Sequence, residues 1–173
     1  MDFTPSQDEL LIRDAARELA AKEIAPKAAH FDETMIFPQE NVKKLAELGF
    51  LGMCVEEKWG GAGLSTMAYV LAMEEISKAC ASTGVIMSVN NSLVCDPLAK
   101  FGTDEQKERF LKPLARGEKL GAYCLTEPEA GSDAQNLRTT ALKDGDHYIL
   151  NGTKNFITNG QVADYYIVYA KTD

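Results

Sequence analysis

Between residues 7 and 25, apolar side chains return every four or five positions, at Leu11, Ala15, Leu19 and Ile24, with charged residues between them. That spacing keeps one helical stripe apolar and predicts a long amphipathic helix reaching the neighbourhood of Pro26. Thr4, Pro5 and Ser6 suit its start: a hydroxyl can accept from the free amides of the first turn, and Asp8 and Glu9 lie at the positive end of the dipole. A second helix follows Pro38, with Val42, Leu45 and Leu48 on one face and Gly49 as its stop. The stretch FLGMCVEEKWGGAGLS carries too many glycines for either regular structure and predicts a turn packed over Trp59. Its Gly60, Gly61 and Gly63 lack the spacing of a dinucleotide or phosphate loop. Three more helices are predicted across 66–81, 83–102 and 103–117, the last opened by Thr103 and Gln106 at capping-box spacing.

After Gly117 the pattern changes. Segments 120–126, 137–152, 153–158 and 163–173 are short, rich in Thr, Tyr, Ile and Val, and punctuated by Asp-Gly and Asn-Gly. They predict strands and hairpins. The expected class is α+β: an all-α helical domain over 1–118, then, over 119–173, the first part of an antiparallel β-barrel or sheet domain. So few strands leave long edges that need cover, and the sequence reads as the front of a longer chain.

At 45% hydrophobic and 25% charged, the 173 residues can bury a core in water. A formal charge of -8 without clustered Lys and Arg excludes a nucleic-acid backbone as partner. No stretch approaches the ~18 continuous apolar residues of a membrane span, and the acidic N-terminus lacks the apolar core of a signal peptide. The expected location is the cytoplasm of a bacterium, or the mitochondrial matrix if a transit peptide has been removed. Cys54, Cys80, Cys95 and Cys124 form no C-x-x-C pair and sit among apolar neighbours, so they read as buried, reduced thiols. His30 and His147 lack partners at ligand spacing, and no metal site is expected. Glu74 and Glu75 invite an acid–base reading, but adjacent helical residues point about 100° apart. A solvated charge is the expectation there.

Two loops stand apart. YCLTEPEAGSD (123–133) runs from an apolar stretch into hydroxyls, carboxylates and a glycine, and NFITNG (155–160) again ends an apolar segment in hydroxyl and amide side chains. Strand ends with Thr and Asn are mostly turns. The same loops offer what a flavin ring needs: an apolar or aromatic face, with donors and acceptors around its edge.

YCLTEPEAGSD, followed after a hairpin by NGTKNFITNG, resembles the flavin-binding signature of acyl-CoA dehydrogenases. The resemblance extends through KWGG, FGTDEQKERFLKPLARGEKLGA and the initial helices, and ASTGVIMSVNNSL is most similar to the short-chain, butyryl-type branch. It implies an FAD-dependent enzyme of fatty acid β-oxidation acting on a short-chain acyl-CoA. In that family a carboxylate removes the α-proton while flavin N5 receives a hydride from the β-carbon, giving the trans-2-enoyl-CoA. Electrons then pass to an electron-transferring flavoprotein, and identical subunits assemble as a homotetramer.

By the same resemblance the Thr126 hydroxyl serves the pyrimidine side of the isoalloxazine, and the backbone of Tyr123, Cys124 and Leu125 lines that edge. Ser132 lies near the FAD pyrophosphate and the thioester arm of the substrate. Phe156 flanks the ring, Ile157 accompanies it, and Thr158 donates at N5, where a held donor favours the arriving charge. Phe156 stands where tryptophan is common. Glu129 replaces a frequent glycine or asparagine, which a left-handed backbone there would disfavour.

The proton-abstracting glutamate of the family lies in a C-terminal helical domain that these residues do not include. No catalytic residue is therefore assigned, and the 173 residues alone are expected to be inactive and to bind FAD poorly. Ile86, Met87, Val89 and Leu93 resemble a wall of the acyl pocket, while core packing explains them equally. The alternatives are a non-catalytic acyl-CoA-binding helical module, or a dehydrogenase of a branched, cyclic or dicarboxylic acyl-CoA.

Overall fold

Ser6 opens the first helix: its hydroxyl accepts from the Glu9 amide, and the Glu9 carboxylate accepts from the Ser6 amide, a reciprocal cap. The computed structural model describes residues 4–172. Its helical part forms five rods. The first joins α1 (Gln7–Leu19) through a π-turn (Ala20–Ile24) to α2 (Ala25–Thr34). The second is α3 (Gln39–Glu47) and the third α4 (Thr66–Ala79). The fourth runs from α5 (Ala81–Ser88) through a π-turn (Val89–Cys95) to α6 (Asp96–Phe101). The fifth runs from α7 (Asp104–Gln106) through a π-turn (Lys107–Leu111) to α8 (Lys112–Ala115), under the expected Thr103 and Gln106 cap.

Each π-turn ends two residues before a proline: Pro26, Pro97 and Pro113. Proline has no amide to donate and its ring crowds the carbonyl four residues back, so widening the preceding turn lets the helix continue. The first helix therefore does not end near Pro26, as its apolar pattern suggested; it runs on to Thr34.

The apolar faces meet in two clusters. One gathers Leu19, Ile24, Leu45, Leu51, Met53, Ile76 and Met87; the other gathers Val55, Val94, Leu111 and Leu114 and takes in Tyr123, Tyr165 and Ile167 from the strands. Two buried asparagines bind the rods to the chain around them. Asn91 donates to the Phe50 and Met87 carbonyls and accepts from the Met53 amide. Asn90 donates to the carbonyls of Leu51 and Leu114 and accepts from the amide of Gly121, where the first strand begins.

Strand β1 (Gly121–Cys124) pairs in parallel with β4 (Tyr165–Val168), while β2 (Thr140–Asp144) and β3 (His147–Asn151) form an antiparallel hairpin. The antiparallel expectation thus holds for the hairpin and not for the β1–β4 pair. Gly121 lets β1 start directly against the fourth rod: a Cβ there would lie 2.4 Å from the Val94 side chain. Residues 153–158, expected as a strand, are irregular. Phe156 has a φ of 57°, which no strand can carry.

Candidate functional site

The 121–133 and 153–160 segments lie against each other, and their anchors are few. Among the described residues one main-chain hydrogen bond joins them, from the Asn155 amide to the Thr126 carbonyl at 2.9 Å. At the other end the Asn159 side chain donates to the Gly121 carbonyl at 2.9 Å. Phe156, Ile157 and Thr158 are suspended between these two points. Both ends of that span are left-handed, Phe156 at φ 57° and Asn159 at 66°. Asparagine tolerates this conformation; for a phenylalanine it is uncommon and costly. Phe156 is also 93% exposed. A strained backbone that presents a bare aromatic face is what a stacking site requires and what a folding core does not.

Glu127 sits at the hinge of the first loop and is 6% exposed. Its carboxylate accepts from the amides of Arg138 and Thr139, the Thr139 hydroxyl, and Lys154 Nζ at 2.8 Å. The Lys154 ammonium first, then the Thr139 hydroxyl and the two amides, hold this carboxyl far below the ordinary carboxylate range, although burial acts the other way. Lys154 also donates to the Leu125 carbonyl at 3.0 Å. Glu127 is thus an acceptor with its capacity filled, and not a proton shuttle.

This bonding decides what the first loop can offer a ligand. The carbonyls of Cys124, Leu125 and Thr126 are occupied by Tyr169, Lys154 and Asn155 respectively. The amides of Leu125 and Thr126, and the hydroxyls of Thr126, Ser132 and Thr158, make no hydrogen bond among the described residues. The loops therefore present donors and hydroxyls, with an aromatic ring beside them. Asn159 Oδ1 is buried with no hydrogen-bond partner among the described residues, and Asn159 lines a cleft of about 770 Å³ between residues 28–38, 80–82 and 157–162.

The expected site residues are distributed unevenly. Thr126, Ile157 and Thr158 are half-buried in the two facing segments. Cys124 is buried, and Tyr123 packs on Tyr169 with ring centroids 5.1 Å apart. Burial foremost, and Tyr169 next, push the Tyr123 phenol up to about 12. Ser132 is exposed and has no bond to the second loop. Glu129 has no left-handed backbone to strain; it pairs with Arg138.

Elsewhere the structure corrects one reading and narrows two others. Cys54 is exposed and Cys80 intermediate, so only Cys95 and Cys124 are the buried thiols expected, and all four are free. Glu74 is solvated and paired with Lys78, but Glu75 is largely covered, its side chain 11% exposed in an ion pair with Arg17 at 3.0 Å that fastens α1 to α4. In the fourth rod Ile86, Met87 and Val89 are buried in the two cores, and only Leu93 is exposed. Sequence reasoning also missed the parts played by Lys154 and Asn159. Nothing in their spacing links Lys154 to Glu127, 27 residues away; the Asn-Gly dipeptide at 159–160 was the one available turn signal. Among the described residues no cluster of His, Cys, Asp and Glu could hold a metal ion, and no helix is long and apolar enough to cross a membrane.

Comparison with known proteins agrees with this architecture. Residues 6–118 match the acyl-CoA dehydrogenase N-terminal domain and residues 122–173 the acyl-CoA dehydrogenase middle domain. The whole chain is 49% identical to 46% of the length of the short-chain specific acyl-CoA dehydrogenase of Clostridium acetobutylicum. It is 51% identical to 45% of the 3-(aryl)acrylate reductase of Clostridium sporogenes. Among solved structures, butyryl-CoA dehydrogenase from Megasphaera elsdenii superimposes with a TM-score of 0.94 at 43% identity, over all of this chain and 46% of that one. The chain spans about half the length of the relatives it matches.

Proposed function

The chain belongs to the acyl-CoA dehydrogenase family, and from that premise we propose that its two facing loops hold the flavin of an FAD-dependent enzyme that desaturates a short-chain acyl-CoA. The observation that carries the reading is the strained, exposed Phe156 held between two anchors, with hydroxyls at Thr126 and Thr158 that make no hydrogen bond among the described residues. A planar ring with a polar edge fits that set of groups. The same reading divides the chain near residue 118 into a helical part and a β part.

When bound, FAD would supply the acceptor for the hydride lost from the acyl β-carbon. The protein's part on this chain is to hold and orient. The amides of Leu125 and Thr126 and the Thr126 hydroxyl would donate to the pyrimidine edge, with Tyr123 and Cys124 supporting the strand behind them. Phe156 and Ile157 would cover a face, and the Thr158 hydroxyl would supply a donor where negative charge builds. Ser132 would serve the pyrophosphate and the thioester arm. The reading assigns removal of the α-proton to none of the residues named here, whose part is to bind and position. Two relatives with different named activities share almost equal identity with it; the preference for a short acyl chain rests on the butyryl-type likeness of residues 81–93. Electron transfer to an electron-transferring flavoprotein, assembly into a tetramer, and action in the cytoplasm or matrix belong to the same reading.

The test is the colour of the protein purified with whatever sequence follows Asp173 in its gene. It should be yellow and bleach on anaerobic addition of butyryl-CoA, while the 173 residues alone show no turnover. A colourless product that still binds acyl-CoA refutes the dehydrogenase and establishes a binding module. Thr158→Val should retain flavin and slow bleaching; unaltered bleaching removes Thr158 from its assigned place.

A further inference from the structure

We propose that Glu127 and Lys154 are a positioning pair that sets the separation and angle of the two ligand-holding loops; what they position rests on the flavin reading above. Glu127 directly follows Thr126, and Lys154 directly precedes Asn155. The pair therefore acts next to the one main-chain bond between the loops. Lys154 crosses from the second loop to grip the first at two points, the Leu125 carbonyl and the Glu127 carboxylate. Glu127 is fastened in turn to a third segment, the Arg138 and Thr139 amides just ahead of β2. The two side chains are 11% and 5% exposed, so water does not loosen the contact.

Such a buried pair is a poor device for stability alone, because apolar residues of like volume often serve as well. What charge and directed hydrogen bonds supply is one defined distance between the segments that bear Thr126 and Thr158. A stacking and hydrogen-bonding site needs that distance held closely. Neither residue touches the reacting atoms; both act through the loops they join.

Three variants of the full gene product test this: Glu127→Gln, Lys154→Met and Lys154→Arg. Hydrogen exchange at the Asn155 amide, compared with the β1–β4 amides as an internal reference, reports the clasp without any ligand. Glu127→Gln and Lys154→Met should speed exchange at Asn155 about 10-fold or more while the β1–β4 amides hold their rates. Lys154→Arg should restore most of the protection. FAD titration, followed by quenching of flavin fluorescence, should weaken by a similar factor with a shifted visible spectrum. If wild type and variants bind FAD alike and Asn155 exchange follows the β1–β4 reference, the pair is merely structural and the inference is overturned. If wild type binds no FAD, the flavin reading fails, and Asn155 exchange still decides whether the clasp exists.

Discussion

Replacing Asn90 by alanine should unlatch the helical rods from strand β1. Asn90 is fully buried, donating to the Leu51 carbonyl at 2.8 Å and the Leu114 carbonyl at 3.2 Å, and accepting from the Gly121 amide at 3.1 Å. The Leu114 carbonyl keeps the Gly117 amide, whereas the Leu51 carbonyl retains only a long contact with Cys95 Sγ. Two main-chain groups are thus left without an adequate partner. At ~1–3 kcal/mol each, the loss is about 2–6 kcal/mol, a large part of the ~5–15 kcal/mol that holds a domain together. Urea unfolding, read by the single tryptophan, Trp59, and by far-ultraviolet circular dichroism, should show the midpoint falling by about 1–3 M. Asn90→Asp provides the control. It keeps the shape and the acceptor, but at neutral pH it aims a carboxylate at two carbonyl oxygens, which raises its folded-state pKa above the unfolded value. The unfolded chain then loses its proton first, so stability falls as pH rises and the gap to wild type narrows in acid. An Asn90→Ala protein within ~0.5 kcal/mol of wild type, or an Asn90→Asp deficit independent of pH, would refute this account of the latch.

Thiol chemistry offers a second check: a neutral-pH alkylating reagent, followed by mass spectrometry, should label exposed Cys54 first and Cys95 only on unfolding, since burial pushes the Cys95 thiol up to about 12. Equal rates at the two would contradict the packing of the fourth rod. The depressed Glu127 carboxyl contributes stability that is complete above the ordinary glutamate value of ~4.3 and is lost as pH falls below it. Thermal scans across that acid range should accordingly show a steeper decline for wild type than for Glu127→Gln; parallel curves would remove Glu127 as the source. Gly121→Ala places a methyl 2.4 Å from Val94 and should destabilise by about 1–3 kcal/mol. Adding Val94→Ala should recover part of that loss, and a pair of strictly additive effects would count against the close approach.

Local patterns carried most of the helical part. The five rods and the Ser6 and Thr103 caps follow from apolar spacing and hydroxyl placement, because helical contacts connect residues three or four apart in sequence. Pro26 alone misled, and only about length: whether a helix ends there or widens and passes it depends on packing around the turn. In the second half the hairpin was legible from Asp-Gly, whereas the parallel β1–β4 pair was not, since its partners lie 44 residues apart and no local period encodes them. The two loops stood out by composition, and the family likeness told what they resemble. Only the folded chain decided that Glu127 binds Lys154, that the carbonyls of the first loop are already taken, and that Phe156 is held bare between two anchors. Those are relations across a gap in sequence, set by which main-chain groups the fold has left to satisfy.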